Sequence, residues 1–344
     1  MQGSPVIWCA VAATASVALW LFVFGRDARL RRRLARLAAG AGDIRLPADA
    51  LRRAPARVRA ILDRALARLV ANQHLDAARL IEESVDNTDA AARAALLNLT
   101  AACYHLAGRH AAAAERYERS ARLAAESGAG GVEAAAWSNL ALLRIVQSEP
   151  RLALDAQERA LALDRAAGNR IATATGLGRL GLVRQMLGET ARALDLHLEA
   201  LAIDEAAGNR RGSANTLGRL GLAYQVSGEF ERALEHYRRG LALARAAGYR
   251  AGAAELLGNI GLLHLERDEF EPALASLLEA LAIFGQQRDT ARAVNTVSGL
   301  ALVRRRMGRV EFEEACRARG IAAAELSRLS GLLNRVAARN PVGR

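Results

Sequence analysis

Hydrophobic and polar positions fall into two regimes along this chain. From Val6 to Phe24, 19 residues pass without a charge (VIWCAVAATASVALWLFVF). Further on, apolar residues recur three and four apart, the spacing of a helix with one face turned to a core. That second pattern then repeats itself. Residues 131–170, 171–210, 211–250 and 251–290 align without a gap at a period of 40. Self-similarity at such a period marks a stack of helical units, each burying its apolar face on its neighbours.

Each unit reads as two amphipathic helices. In the first, Trp137, Leu177, Leu217 and Leu257 share a column, and Leu140, Leu180, Leu220 and Ile260 the next. Ala141, Gly181, Gly221 and Gly261 follow directly, small enough to let a partner helix approach. Gly188, Gly228 and Gly308 mark the turn between the helices. The second helix carries small columns at Ala153, Ala193, Ala233 and Ala273 and at Ala160, Ala200, Gly240 and Ala280. Gly168, Gly208 and Gly248 end it, where a left-handed residue closes a helix.

The order of Leu217, Leu220, Gly221, Tyr224, Ala233, Tyr237 and Gly240 resembles the tetratricopeptide repeat. The period is 40 and the proline that usually closes a unit is missing, which is similar to the longer-helix arrays of the LGN/Pins and kinesin light chain groups. Residues 91–130 keep the pattern at Leu97, Ala101, Tyr104, Gly108, Ala113 and Tyr117. Residues 291–330 keep Val297, Leu300, Ala301 and Gly308 but place Glu313 in the alanine column, the degeneracy of a terminal cap. The resemblance implies a right-handed α-solenoid of helix pairs that binds proteins and catalyses nothing.

The uncharged run would span about 28 Å as a helix, close to the roughly 30 Å of a bilayer core. Trp8 and Trp20 lie toward its ends, and Arg26, Arg29, Arg31, Arg32, Arg33 and Arg36 follow it. A cleaved signal peptide carries its charge before the apolar run. The expected fold class is therefore all-α, an N-terminal transmembrane helix followed by the solenoid. The arginines lie against the membrane surface and hold the repeats in the cytoplasm, which makes the chain a single-pass protein of the inner membrane. The expected divisions are an anchor over 1–25, a basic segment and linker over 26–58, and a degenerate repeat over 59–90. The array proper covers 91–290, and a last repeat with a capping helix covers 291–344.

Charge refines the picture. The net charge is +12, yet residues 131–290 hold 18 Arg against 20 Asp and Glu. Residues 26–59 hold 11 Arg against three Asp, and residues 291–344 hold 11 Arg against four Glu. A neutral middle between basic ends is no continuous phosphate track, so a soluble nucleic-acid regulator is disfavoured. Cys9, Cys103 and Cys316 are far apart and odd in number, which excludes a disulfide framework and a CxxC metal pair. No cofactor or metal is expected. Gly176, Gly178 and Gly181 fit GxGxxG but sit within a first helix rather than after a strand.

For a partner surface, the first helices carry a polar column at Asn139, Arg179, Arg219 and Asn259. One turn earlier on that side stand Thr175, Asn215, Glu255 and Asn295, and Gln185 and Gln225 lie further along. In LGN/Pins-like arrays such ladders hold extended peptides, so the resemblance implies a concave-face site. There Asn would pair with peptide backbone and Arg would fork onto carboxylates, which favours an acidic segment of a protein partner. The expected function is a membrane-anchored scaffold. The alternative is an accessory or chaperone subunit of an envelope-assembly or enzyme complex, facing the periplasm. Self-association through the terminal repeats stays open.

Overall fold

The computed structural model describes residues 56–71, 73–83, 88–287 and 290–339. Among them every regular element is a helix. In chain order these are α1 (Ala56–Val70), α2 (His74–Glu82), α3 (Ala90–Leu106), α4 (His110–Glu126), α5 (Gly130–Val146), α6 (Pro150–Ala166), α7 (Arg170–Met186) and α8 (Thr190–Ala206). They continue with α9 (Arg210–Val226), α10 (Phe230–Ala246), α11 (Arg250–Glu266), α12 (Phe270–Gln287), α13 (Thr290–Met307), α14 (Arg309–Ala318) and α15 (Ala323–Arg339). The helices form two compact units that divide between Gly212 and Ser213, within α9.

In the first unit, α3 packs on α4, α5 on α6 and α7 on α8, and α4 and α6 each also meet the first helix that follows. The same alternation runs through α10 to α13 in the second unit. A turn of fixed form makes this regularity. At the end of α6, Gly168 N–H donates to Arg165 O at 3.0 Å and Asn169 N–H to Asp164 O at 3.0 Å. This is a Schellman closure around a residue of φ 65°. Glycine fills the same left-handed place at every other turn from 108 to 248 except the one after α5, where Ser148 adopts φ 60°. Asp268, at φ 59°, does so again after α11.

Close approach within a pair depends on the small column. A methyl group added at Gly221 would lie 2.6 Å from the Tyr237 ring, and one at Gly181 would lie 2.5 Å from the His197 ring. The side chains seated there form a fully buried column, Tyr117, Gln157 and His197 in the first unit and Tyr237 in the second. Caps set the entry of several first helices. Asp89 accepts from Ala92 N–H at 2.7 Å, and Asn169 from Ala172 N–H at 3.2 Å.

The last repeat departs from the rest. Its second helix, α14, is short, and α15 joins it over α13. Val297, Leu300 and Val303 of α13 meet Phe312 of α14 and Leu326 and Leu333 of α15 in one core.

The expected transmembrane helix requires correction. Among the described residues no helix is long and apolar enough to cross a membrane. The run 6–24 and the arginines at 26–36 that carried the expectation lie outside those residues. The fold class of the described residues is the helix-pair repeat, and a single-pass inner-membrane location with cytoplasmic repeats is not supported. The physical reason is plain in the helices themselves: the first helices interleave small and polar residues with their leucines, as packing against neighbouring helices demands.

Candidate functional site

Successive first helices touch along a narrow seam, and polar side chains bridge it at a constant offset. Asn139 Nδ2 on α5 donates to Asn98 Oδ1 on α3 at 2.9 Å. One repeat on, Arg179 Nη1 on α7 donates to the Ser138 hydroxyl and, at 3.4 Å, to the Ser138 carbonyl. In the second unit Gln225 Nε2 on α9 donates to Glu266 Oε2 on α11 at 2.8 Å. Each of these bridges joins residues 41 apart, one repeat plus one position.

The expected ladder residues therefore divide. Asn139 is 0% exposed, Arg179 2%, Gln185 5% and Arg219 6%. Asn139 and Arg179 use their hydrogen bonds at least in part to hold neighbouring repeats together. Asn215, Asn259 and Gln225 are half-buried, and Asn295 is exposed. Gln225 stands between Glu266 and the Tyr237 hydroxyl, which donates to its Oε1 at 2.9 Å. Glu255, one turn before Asn259, pairs with Arg292 at 3.0 Å. The residues that reach water on this face are thus concentrated in the second unit.

An apolar track, missed in the sequence reading, runs beside the ladder. Leu142 and Leu182 in the first unit and Leu222, Leu262 and Leu302 in the second occupy one column of the first helices. At the helix ends beside them, Val146 is 53% and Val226 54% exposed. The signal lay in the sequence: leucine at one column in five consecutive units, offset from the columns that bury against the second helix. Leu142, Leu182 and Leu222 are themselves buried, so the apolar groups this face presents are chiefly Val146, Val226 and, on α13, Leu302 at 43% exposed.

Electrostatics elsewhere is that of a packed core. Burial pushes the Cys103 thiol up to about 12, which leaves it an inert thiol. Burial, with the neighbouring His110, pulls His105 down to about 4. The His105 ring stands 6.1 Å from that of His110 and 6.4 Å from that of Tyr117, centre to centre. Among the described residues no group of three or more His, Cys, Asp or Glu is arranged to hold a metal ion.

Stacked helix pairs whose first helices share one partly polar face define a class, the helical-repeat scaffolds that present a surface rather than a reaction centre. The tetratricopeptide repeat model matches residues 132–206 and 212–286. The chain is a tetratricopeptide-repeat protein, as its resemblance implied, and such arrays are typically non-catalytic scaffolds suited to protein binding. Three solved structures share the fold. BtubC (BKLC) from P. vanneervenii is 23% identical with a TM-score of 0.52, over 66% of this chain and 92% of that one. The apo form of RapI is 14% identical with a TM-score of 0.61, over 83% and 100%. The signal-transduction ATPase PH0952 from Pyrococcus horikoshii, which has a tetratricopeptide repeat sensor, is 15% identical with a TM-score of 0.62, over 93% of this chain and 48% of that one. No curated protein matches the chain.

Proposed function

We propose that the protein is a scaffold whose first-helix face in the second unit takes up an extended segment of a partner protein. One observation carries this reading: Asn215, Asn259 and Asn295 stand at or near the surface of three successive first helices, beside the leucine track. An asparagine amide can donate to a peptide carbonyl and accept from a peptide N–H at once, so a row of them reads backbone rather than side chains. The exposed Val226 and the half-buried Leu262 then offer contacts for apolar side chains of the segment.

A randomised peptide display library, selected against the full chain, tests the reading. Selected peptides should lose at least about tenfold in affinity, roughly 1.4 kcal/mol, against the Asn215→Ala/Asn259→Ala/Asn295→Ala variant. The helical circular dichroism should stay unchanged. Equal affinity for wild type and triple variant would remove the asparagine row from any role in binding.

A further inference from the structure

Ala153, Gln157 and Leu161 stand one turn apart on a single face of α6. The outer two are packed. Ala153 shares a core with Ile145, Leu182 and Val183, and Leu161 shares a second core with Leu177, Leu180 and Ala200. Gln157 lies between these cores and joins neither. It is fully buried, and neither its Nε2 nor its Oε1 has a hydrogen-bond partner. Facing it, α7 offers the backbone at Gly176, where an added methyl group would lie 3.2 Å from that Nε2. A buried amide without partners is costly, and any opening that lets water reach it recovers the cost.

The matching place in the second unit is built differently. On α10 the corresponding residues Ala233, Tyr237 and Leu241 belong to one continuous core with Leu256, Leu257 and Ile260 of α11. The Tyr237 ring stands in the column of the Gln157 amide, and its hydroxyl donates to Gln225 Oε1 at 2.9 Å. In the repeat of Gln157 the residue in the Gln225 column is Ile145, whose side chain has no acceptor. On α12 the column holds Leu277, also buried, so an apolar side chain fits there as well. Backbone propensity does not separate the two joints, because α7 and α11 carry three glycines each. At the surface Arg184 pairs with Glu158 at 2.8 Å across α6 and α7, but water holds such a pair to a small contribution.

We infer that the α6–α7 joint is a conformational release built into the first unit. The two helices part locally while the rest of the array stays folded, and the parted state gives the Gln157 amide to water. That state uncovers Leu161 and Leu177 and frees the α7–α8 pair to move against α5–α6. The residues involved are distinct from the asparagine row on α9, α11 and α13, so neither reading rests on the other.

Native-state hydrogen exchange of the full chain, read by mass spectrometry in urea below the unfolding transition, is the test. Amides of α6 and α7 should exchange at least about tenfold faster than those of α10 and α11, with the weak urea dependence of a local opening. Gln157→Leu should slow α6 and α7 at least about tenfold and leave α10 and α11 unchanged. Gln157→Met, which keeps the length of the side chain without the amide, should do the same, so the result does not hang on the packing of one variant. Equal protection of the two joints in the wild type overturns the inference. Exchange in α6 and α7 that neither variant slows does so too. An even slowing of every helix by Gln157→Leu also sinks it, since the amide would then weigh on global unfolding alone.

Discussion

At the scale of single residues, glycines with the same backbone have opposite values according to what faces them. Gly221 and Gly258 both lie inside first helices, yet a methyl group at Gly221 would strike the Tyr237 ring at 2.6 Å while one at Gly258 meets nothing within 4 Å. Gly221→Ala should cost about 1–3 kcal/mol through overpacking. Gly258→Ala should gain about 0.5–1 kcal/mol, because alanine loses less backbone freedom in a helix. Urea titrations of the two variants decide it, and a loss in both would mean that the small column does not set the helix spacing. The left-handed residues make a similar pair. Ser148 holds φ 60° where sibling turns have glycine, so Ser148→Gly should stabilise by about 1 kcal/mol. Asp268, at φ 59°, gives its carboxylate to Arg306 at 3.2 Å, so Asp268→Gly should gain less than Ser148→Gly or lose. His105 sets a third expectation. Its folded value of about 4 lies below the roughly 6.5 of an exposed imidazole, so folding favours the neutral ring. The stability it secures is intact near neutral pH and is lost as pH falls from about 6.5 toward 4. A thermal melt series should show a shallower decline between pH 6.5 and 5 for His105→Leu. Below that window Glu189 and Glu269 join in, since hydrogen bonds from Arg192 and from His264 respectively hold them below the usual carboxylate range.

At the scale of elements, the sequence made the helix pairs legible because two signals coincided. Leucine spacing marked the buried face, and glycine at 168, 188, 208, 228 and 248 marked both ends of each helix. The structure places a left-handed residue at every one of these positions. The site was less legible. Asn139 and Arg179 looked solvated because they stand off the face that packs on the second helix. The sequence does not show that a first helix also packs on the first helices before and after it. That second contact buries Asn139 and Arg179 against Asn98 and Ser138, and it leaves accessible amides mainly in the second unit. The departure of the last repeat was visible in Glu313, but the role of α15 in covering α13 was not, because a capping helix breaks the period that makes the others recognisable. The apolar run at 6–24 misled for a related reason: its hydropathy, its flanking tryptophans and the arginines after it assigned it to a bilayer, with no repeat register to check it against.

At the scale of the whole molecule, the distribution of charge constrains partners more than its total. The repeats from 131 to 290 are close to neutral, and the surplus of arginine lies before and after them. Partners of the asparagine row would accordingly be chosen by hydrogen bonds and shape, with weak dependence on salt. The constant offset of the seam bridges has a further consequence. Each seam bridge depends only on the two first helices that it joins, so the array is a text written in interchangeable words. Removal of residues 131–170 would set Arg179 against Asn98, an amide oxygen in place of a serine hydroxyl, and a guanidinium can donate to either. Lineages carrying this chain could therefore gain or shed whole 40-residue words by recombination, lengthening or shortening the binding surface while every remaining junction stays grammatical.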